Sequence, residues 1–233
     1  MGALIIPPYI HRDPDHFVTD FSEYMVGAFP ADWTQRYGVN GTQLVQAVAG
    51  SFSGKALRIT KASTVKQFMS WDTVPLVADV EILLRQRNIT APSLAFPQAY
   101  IGARAFGAAG SESLYGMAMF QHTSSPTLYR ANMNKWTAGV YTADVIPPYN
   151  APAPNWTTGA WVWQRFRLLG TTLSIKTWLD GNAEPVSWGG TVVNSSFTAA
   201  GWTGIYSDNV NPNTEVDFFS VALNGKTASS AKR

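Results

Sequence analysis

The stretch Ala160-Trp161-Val162-Trp163-Gln164-Arg165-Phe166-Arg167-Leu168-Leu169, then Gly170-Thr171, then Thr172-Leu173-Ser174-Ile175-Lys176-Thr177-Trp178, decides the fold. Two period-two runs flank a dipeptide that opens with glycine, the pattern of a β-hairpin closed by a type II′ turn. Counting back from such a turn fixes the register. Leu168 then opposes Leu173 and Phe166 opposes Ile175, which makes one apolar face for a core. The other face pairs Arg167 with Ser174, Arg165 with Lys176 and Trp163 with Trp178. Two cations directly opposite each other are unfavourable by a few tenths of a kcal/mol, on the order of the usual cross-strand pair energies. An anionic neighbour is therefore required.

Val77–Arg87 supplies one. Ala78, Val80, Ile82 and Leu84 fall on one face, and Asp79, Glu81, Arg85 and Arg87 on the other. In one sheet with the hairpin, this gives a belt of carboxylates, guanidinium groups and indoles on the non-core face. Two readings follow: inter-strand ion pairs on a solvated sheet, which is favoured, or a glycan surface built from Trp163, Arg165, Lys176 and Trp178.

The same alternation recurs along the chain, broken by Gly, Pro and Asn clusters. Further strands are predicted over 17–21, 33–38, 56–61, 67–72, 99–106, 115–121, 127–135, 202–207 and 215–223. A weak helical pattern at Thr42–Val48 also alternates. Many strands without intervening helices form two packed sheets. At 233 residues the chain fits one β domain, with 45% hydrophobic and 14% charged residues. We divide it into an extended N-terminal arm (1–16), a β domain (17–225) and a C-terminal tail (226–233). Val145–Pro154 reads as a stiff Pro-rich connection, and both termini are expected to be docked, with other subunits as the candidate partners.

Lys+Arg 17 against Asp+Glu 15 is a near balance, which argues against a nucleic-acid partner. No apolar run is long enough for a membrane helix. Ala3-Leu4-Ile5-Ile6, halted by Pro7-Pro8, is too short for a signal-peptide core. Sequons at Asn40, Asn88, Asn155 and Asn194 are read as chance. With no cysteine there is no disulfide, zinc ribbon or thiol nucleophile.

Three segments resemble concanavalin A-like, laminin G-like jelly rolls. They are Asp20–Tyr24 with Phe29–Thr34, the hairpin with Asp180-Gly181, Glu184-Pro185 and Trp188, and Gly204–Ser207 with Val216–Ala222. The resemblance spans roughly residues 17–225. Small domains of this type are similar to components of tailed-bacteriophage particles, where they serve as decoration, tail or baseplate subunits and adhesins. The fold also hosts lectins, carbohydrate-binding modules and glycoside hydrolases, so activity has to be argued from residues.

A glycosidase needs two carboxyl groups about 5–9.5 Å apart. Asp79 and Glu81 are the better pair, but the neighbouring cations would keep both ionised when one must hold a proton. Glu215-Val216-Asp217 begins the catalytic spacing of the family 16 glucanases in this fold, and the third acid is missing. His11 and His16, beside Asp13 and Asp15, read as a solvated turn. Asp208, Asn211 and Asn213 are weak calcium candidates, because Asx residues also dominate ordinary turns. Of the tryptophans, Trp33, Trp71, Trp188 and Trp202 are assigned to the core, and Trp136, Trp156 and Trp161 to loop-adjacent positions open to solvent.

The expectation is a non-enzymatic virion subunit without a cofactor, assembling with other virion proteins and with copies of itself. Leu4, Ile5, Ile6 and Tyr9 of the arm and Pro147, Pro148 and Tyr149 of the loop are its assembly residues. Adhesion to host-surface polysaccharide is compatible with that role. A carbohydrate-binding module or lectin is the alternative, and a glycoside hydrolase the less favoured one.

Overall fold

In the computed structural model of the chain, residues 13–38, 42–60, 67–89, 100–122, 125–150, 158–207 and 213–231 are described. Fifteen strands form among them: β1 His16–Thr19, β2 Trp33–Tyr37, β3 Thr42–Ala47, β4 Lys55–Thr60, β5 Gln67–Trp71, β6 Val80–Asn88, β7 Tyr100–Phe106, β8 Ser113–His122, β9 Ser125–Thr137, β10 Val140–Asn150, β11 Val162–Leu169, β12 Thr172–Leu179, β13 Gly190–Val193, β14 Trp202–Ser207 and β15 Thr214–Leu223. They build two antiparallel sheets. The first runs β13-β12-β11-β6-β15-β4-β3, with β1 also paired to β15, and the second runs β10-β9-β8-β7-β14-β5-β2. This is the all-β, two-sheet sandwich that the alternation predicts, in the jelly-roll form that the resemblance implies.

The hairpin register is as counted from its turn: Leu168↔Leu173, Phe166↔Ile175, Arg165↔Lys176 and Trp163↔Trp178. Gly170 has φ +54°, the left-handed conformation that the first central position of a type II′ turn demands. β6 pairs directly with β11, setting Trp163↔Arg85 and Arg167↔Glu81. Even-numbered residues of β6 and β11 therefore point inward together. Val80, Ile82, Leu84, Phe166 and Leu168 meet Met69, Ile101, Met117, Met133 and Ile205 of the second sheet in one buried cluster. Each such side chain contributes roughly 1.5–3 kcal/mol on burial.

Two expectations are corrected and one strand is added. The weak helical pattern at Thr42–Val48 is strand β3, paired with β4 through Thr42↔Thr60 to Ala47↔Lys55. The Pro-rich connection is a strand as far as Asn150, because β10 pairs with β9 and its register shifts between Ile146 and Tyr149. Pro147 and Pro148 sit in that shift, on an edge strand with a single neighbour, where a missing N–H costs no ladder bond. The short strand β13 lies within a stretch left unassigned from sequence.

Trp33 and Trp71 stack in the core, 5.7 Å apart between ring centroids. Trp188 and Trp202 do not belong there, since both are half-buried on outer faces, whereas Trp136 and Trp161 are buried. Trp156, the arm residues Leu4, Ile5, Ile6 and Tyr9, His11, and Asp208 and Asn211 lie outside the described residues.

Candidate functional site

The outer face of the first sheet carries the expected belt, and the structure closes it. Trp163, Arg165, Lys176 and Trp178 share that face and are only 8%, 4%, 8% and 5% exposed. This corrects the reading of a solvated sheet, and it leaves these indoles no open face for a sugar to stack on.

Two segments form the roof. The loop after β12 brings Glu184, whose Oε1 lies 2.7 Å from Arg165 Nε and 2.6 Å from Lys176 Nζ. Lys176 also donates to the Pro185 carbonyl at 2.9 Å and lies 4.9 Å from the Trp188 ring centroid. After β15 the chain turns back through Asn224 and Gly225, both left-handed at φ +55° and +77°. Residues 224–229 then cross the sheet. Arg165 donates to the Ala228 carbonyl at 2.9 Å, and the Ala228 N–H donates to Glu81 at 3.1 Å. Ala228 itself packs with Leu83, Trp163, Trp178, Phe218 and Ala222. The C-terminal segment thus docks on its own sheet. Lys226 further fastens Asp13 at 3.0 Å and Asp15 at 2.8 Å.

The acids weighed for catalysis are all engaged here. Glu81 pairs with Arg165 at 2.5 Å, and Asp79 accepts from the Gly170 N–H at 2.8 Å. Glu215 is bound by Arg58 and Arg87. Asp217 accepts from Arg85 and from the Phe52 N–H. Burial pushes the Asp217 carboxyl up to about 7 against the pull of Arg85. Burial also opposes ionisation of Asp180 and Glu184. Hydrogen bonds from Arg85 and Trp163 to the first, and from Arg165 and Lys176 to the second, outweigh it and hold both below the ordinary carboxylate range.

The outer face of the second sheet differs. Thr34, Ser70, Gly204, Gly102, Gly116 and Asn134 follow one another across β2, β5, β14, β7, β8 and β9. Three successive glycines leave the middle of this row without side chains, and a Cβ on Gly102 would stand 2.8 Å from the Phe68 ring. Tyr37, Phe68, Trp136 and Tyr206 are buried along the row, with the half-buried Trp202 packed against them.

A polar rim surrounds that indole. The bulge between Gln35 and Tyr37 turns Arg36 outward. Its Nε donates to Ser70 Oγ at 2.8 Å, its Nη2 to Asp72 Oδ1 at 2.6 Å, and its guanidinium carbon lies 4.6 Å from the Trp202 ring centroid. Ser70 Oγ donates to Asp72 at 2.8 Å, and Thr34 Oγ1 donates to the other Asp72 oxygen. Arg36 is 27% and Asp72 37% exposed, so the rim meets solvent. Oriented hydroxyls, a guanidinium and a carboxylate beside a half-buried indole offer hydrogen bonds next to an aromatic edge. None of these five residues was chosen from sequence. The signal was present in Trp33-Thr34-Gln35-Arg36-Tyr37 and Ser70-Trp71-Asp72, where polar residues alternate with core aromatics.

Among the described residues no cluster of three or more His, Cys, Asp or Glu could hold a metal ion. Asn213, the described member of the calcium candidates, gives its carbonyl to the Ile89 N–H at 2.9 Å.

No family model matches the sequence, and no curated protein matches it. Solved structures do match. The conserved carbohydrate esterase vb_24B_21 from Shiga toxin-encoding bacteriophage phi24B is 15% identical, covering 83% of this chain and 90% of its own, with a TM-score of 0.53. The carbohydrate-binding module CBM66 from Bacillus subtilis is 14% identical over 84% and 93%, with a TM-score of 0.50. The VIP36 exoplasmic/lumenal domain, solved with Ca2+ and Man3GlcNAc bound, is 8% identical over 94% and 92%, with a TM-score of 0.55. With the two antiparallel sheets, these likenesses define the fold as a concanavalin A-like jelly roll.

Proposed function

We propose that the chain is a non-enzymatic carbohydrate-binding jelly roll carried on a bacteriophage particle, where it touches host-surface polysaccharide. The observation that carries this reading is the rim of Thr34, Arg36, Ser70 and Asp72 beside the half-buried Trp202. It joins an indole to fixed hydrogen-bonding groups at the surface. Neighbours whose names mention carbohydrate, one of them from a bacteriophage, support it. The engagement of Asp79, Glu81, Glu215 and Asp217 in ion pairs or main-chain hydrogen bonds favours binding over hydrolysis.

A glycan array probed with the intact chain tests the reading, with Trp202→Ala and Asp72→Asn beside it. Binding should fall at least about tenfold in each, the loss of one stacking or charge-assisted contact, while Asp72→Asn melts close to wild type and Trp202→Ala, which also loses packing on Tyr37, Phe68, Trp136 and Tyr206, melts earlier but stays folded. An array silent for the wild type, or binding unchanged in both variants, overturns it.

A second reading concerns assembly with other virion proteins and copies of this chain through the arm, Leu4, Ile5, Ile6 and Tyr9 included. The fastening of Asp13 to Lys226 favours it, because it anchors the root of the arm to the folded domain. Removing residues 1–12 should leave a folded chain that no longer joins the particle. Normal incorporation would sink the arm's role.

A further inference from the structure

Among the described residues, the two roofing segments make no hydrogen bond or ion pair to β3, β4 or the start of β15. On this part of the outer face, Glu215 stands between Arg58 and Arg87, its cross-strand neighbours. Its carboxylate is fully buried and serves both: Arg58 Nε and Nη2 donate to Oε1 at 2.9 and 2.5 Å, and Arg87 Nε to Oε2 at 2.7 Å. Two guanidinium groups share one carboxylate, which leaves one positive charge over. Neighbouring Arg85 holds two further acids, Asp180 and Asp217, which offset that charge only while Asp217 is ionised, and burial opposes that ionisation.

Both guanidinium groups reach solvent, Arg58 at 38% and Arg87 at 21% side-chain exposure. Arg58 Nη1 and both Nη atoms of Arg87 donate to no described protein atom. The Arg87 guanidinium is also fixed, with its carbon 4.6 Å from the Trp161 ring centroid while Arg85 lies 4.5 Å from the same ring. A planar fork held by a buried carboxylate and an indole loses little entropy on binding, and its outer edge matches a carboxylate or sulfate oxygen pair.

From this arrangement we infer an anion subsite at Arg58, Arg87 and Trp161 that takes the charged group of an acidic polysaccharide. The inference rests on the carbohydrate-binding reading and adds a substrate class to it. It uses a different face from the Trp202 rim, so the two can fail separately.

Affinity electrophoresis of the intact chain tests it, through gels containing polygalacturonate, dextran sulfate or neutral dextran. Wild type should be retarded by at least one acidic polymer, with the carboxylate and sulfate arms naming the anion, and the retardation should weaken as salt rises. Arg87→Gln and Arg58→Gln should each weaken it about tenfold, equivalent to about 1.4 kcal/mol, and leave any retardation in dextran unchanged. Absence of retardation in both acidic gels, or equal retardation of wild type and both variants, overturns the subsite. A variant that melts earlier but binds acidic polymer like wild type shows the triad to be only a cross-strand pin. Should the acidic arms fail while Trp202-dependent glycan binding persists, only this inference falls. Acidic-polymer binding that ignores Trp202→Ala, beside a glycan array equally indifferent to it, would retain the subsite and remove the rim.

Discussion

The two outer faces carry similar side chains in opposite states. On the first sheet, Arg165, Lys176 and Glu81 lie under a roof and share the face with two stacked indoles. On the second, Arg36, Asp72 and Trp202 form the same kinds of contact at the surface. Burial decides what each set can do. An ion pair out of water holds strands and loops in place, because separating it leaves an uncompensated charge. A half-exposed pair contributes little to stability, and its hydrogen bonds remain exchangeable for those of a ligand.

The largest effect should come from breaking the closed face. Arg165→Met leaves Glu81 and Glu184 short of their partner and should cost about 3–5 kcal/mol, read as a fall in Tm. A loss under about 1 kcal/mol would place that pair with ordinary surface bridges. Next comes the roof itself. Ending the chain at Gly225 removes the Ala228 contacts to Arg165 and Glu81 and should cost about 1–3 kcal/mol, with new hydrogen exchange in β6 and β11. Unchanged exchange would mean that the segment covers nothing.

Asp217 sharpens the comparison through pH. Its carboxyl rises from 3.8 to about 7 on folding, so between those values the folded chain keeps a proton that the unfolded chain has released. Its contribution is full at the acid end of that window and is lost as pH rises through about 7. Asp217→Asn should therefore gain stability relative to wild type as pH is raised from 4 to 8. A difference independent of pH would contradict the upward shift. The smallest stability effect belongs to the open face: Asp72→Asn should change unfolding by less than about 1 kcal/mol while it weakens glycan binding.

Much of the fold was legible because the hairpin states its own register. Gly170-Thr171 fixes the turn, and Phe166, Leu168, Leu173 and Ile175 fix the inward face. The charged belt was legible for the same reason, and its closure was not. Part of its roof comes from Gly225-Lys226-Thr227-Ala228-Ser229, small and polar residues with no periodicity, held mainly by main-chain groups that accept from or donate to charged side chains. Strand β10 was hidden because Pro147-Pro148 resembles a connection unless the strand is known to be an edge. The Trp202 rim was missed because strand pattern alone assigned that indole to the core, and only pairing across β2, β5 and β14 brings Arg36 and Asp72 beside it.

Hydroxyl-radical footprinting of the intact chain, alone and with a polysaccharide that the array retains, tests the division between the faces most directly. Trp202 should be oxidised in the free protein and protected by the polysaccharide, while Trp163 and Trp178 stay unreactive in both. Ready oxidation of Trp163 and Trp178 that the polysaccharide suppresses, with Trp202 indifferent to it, would contradict the account.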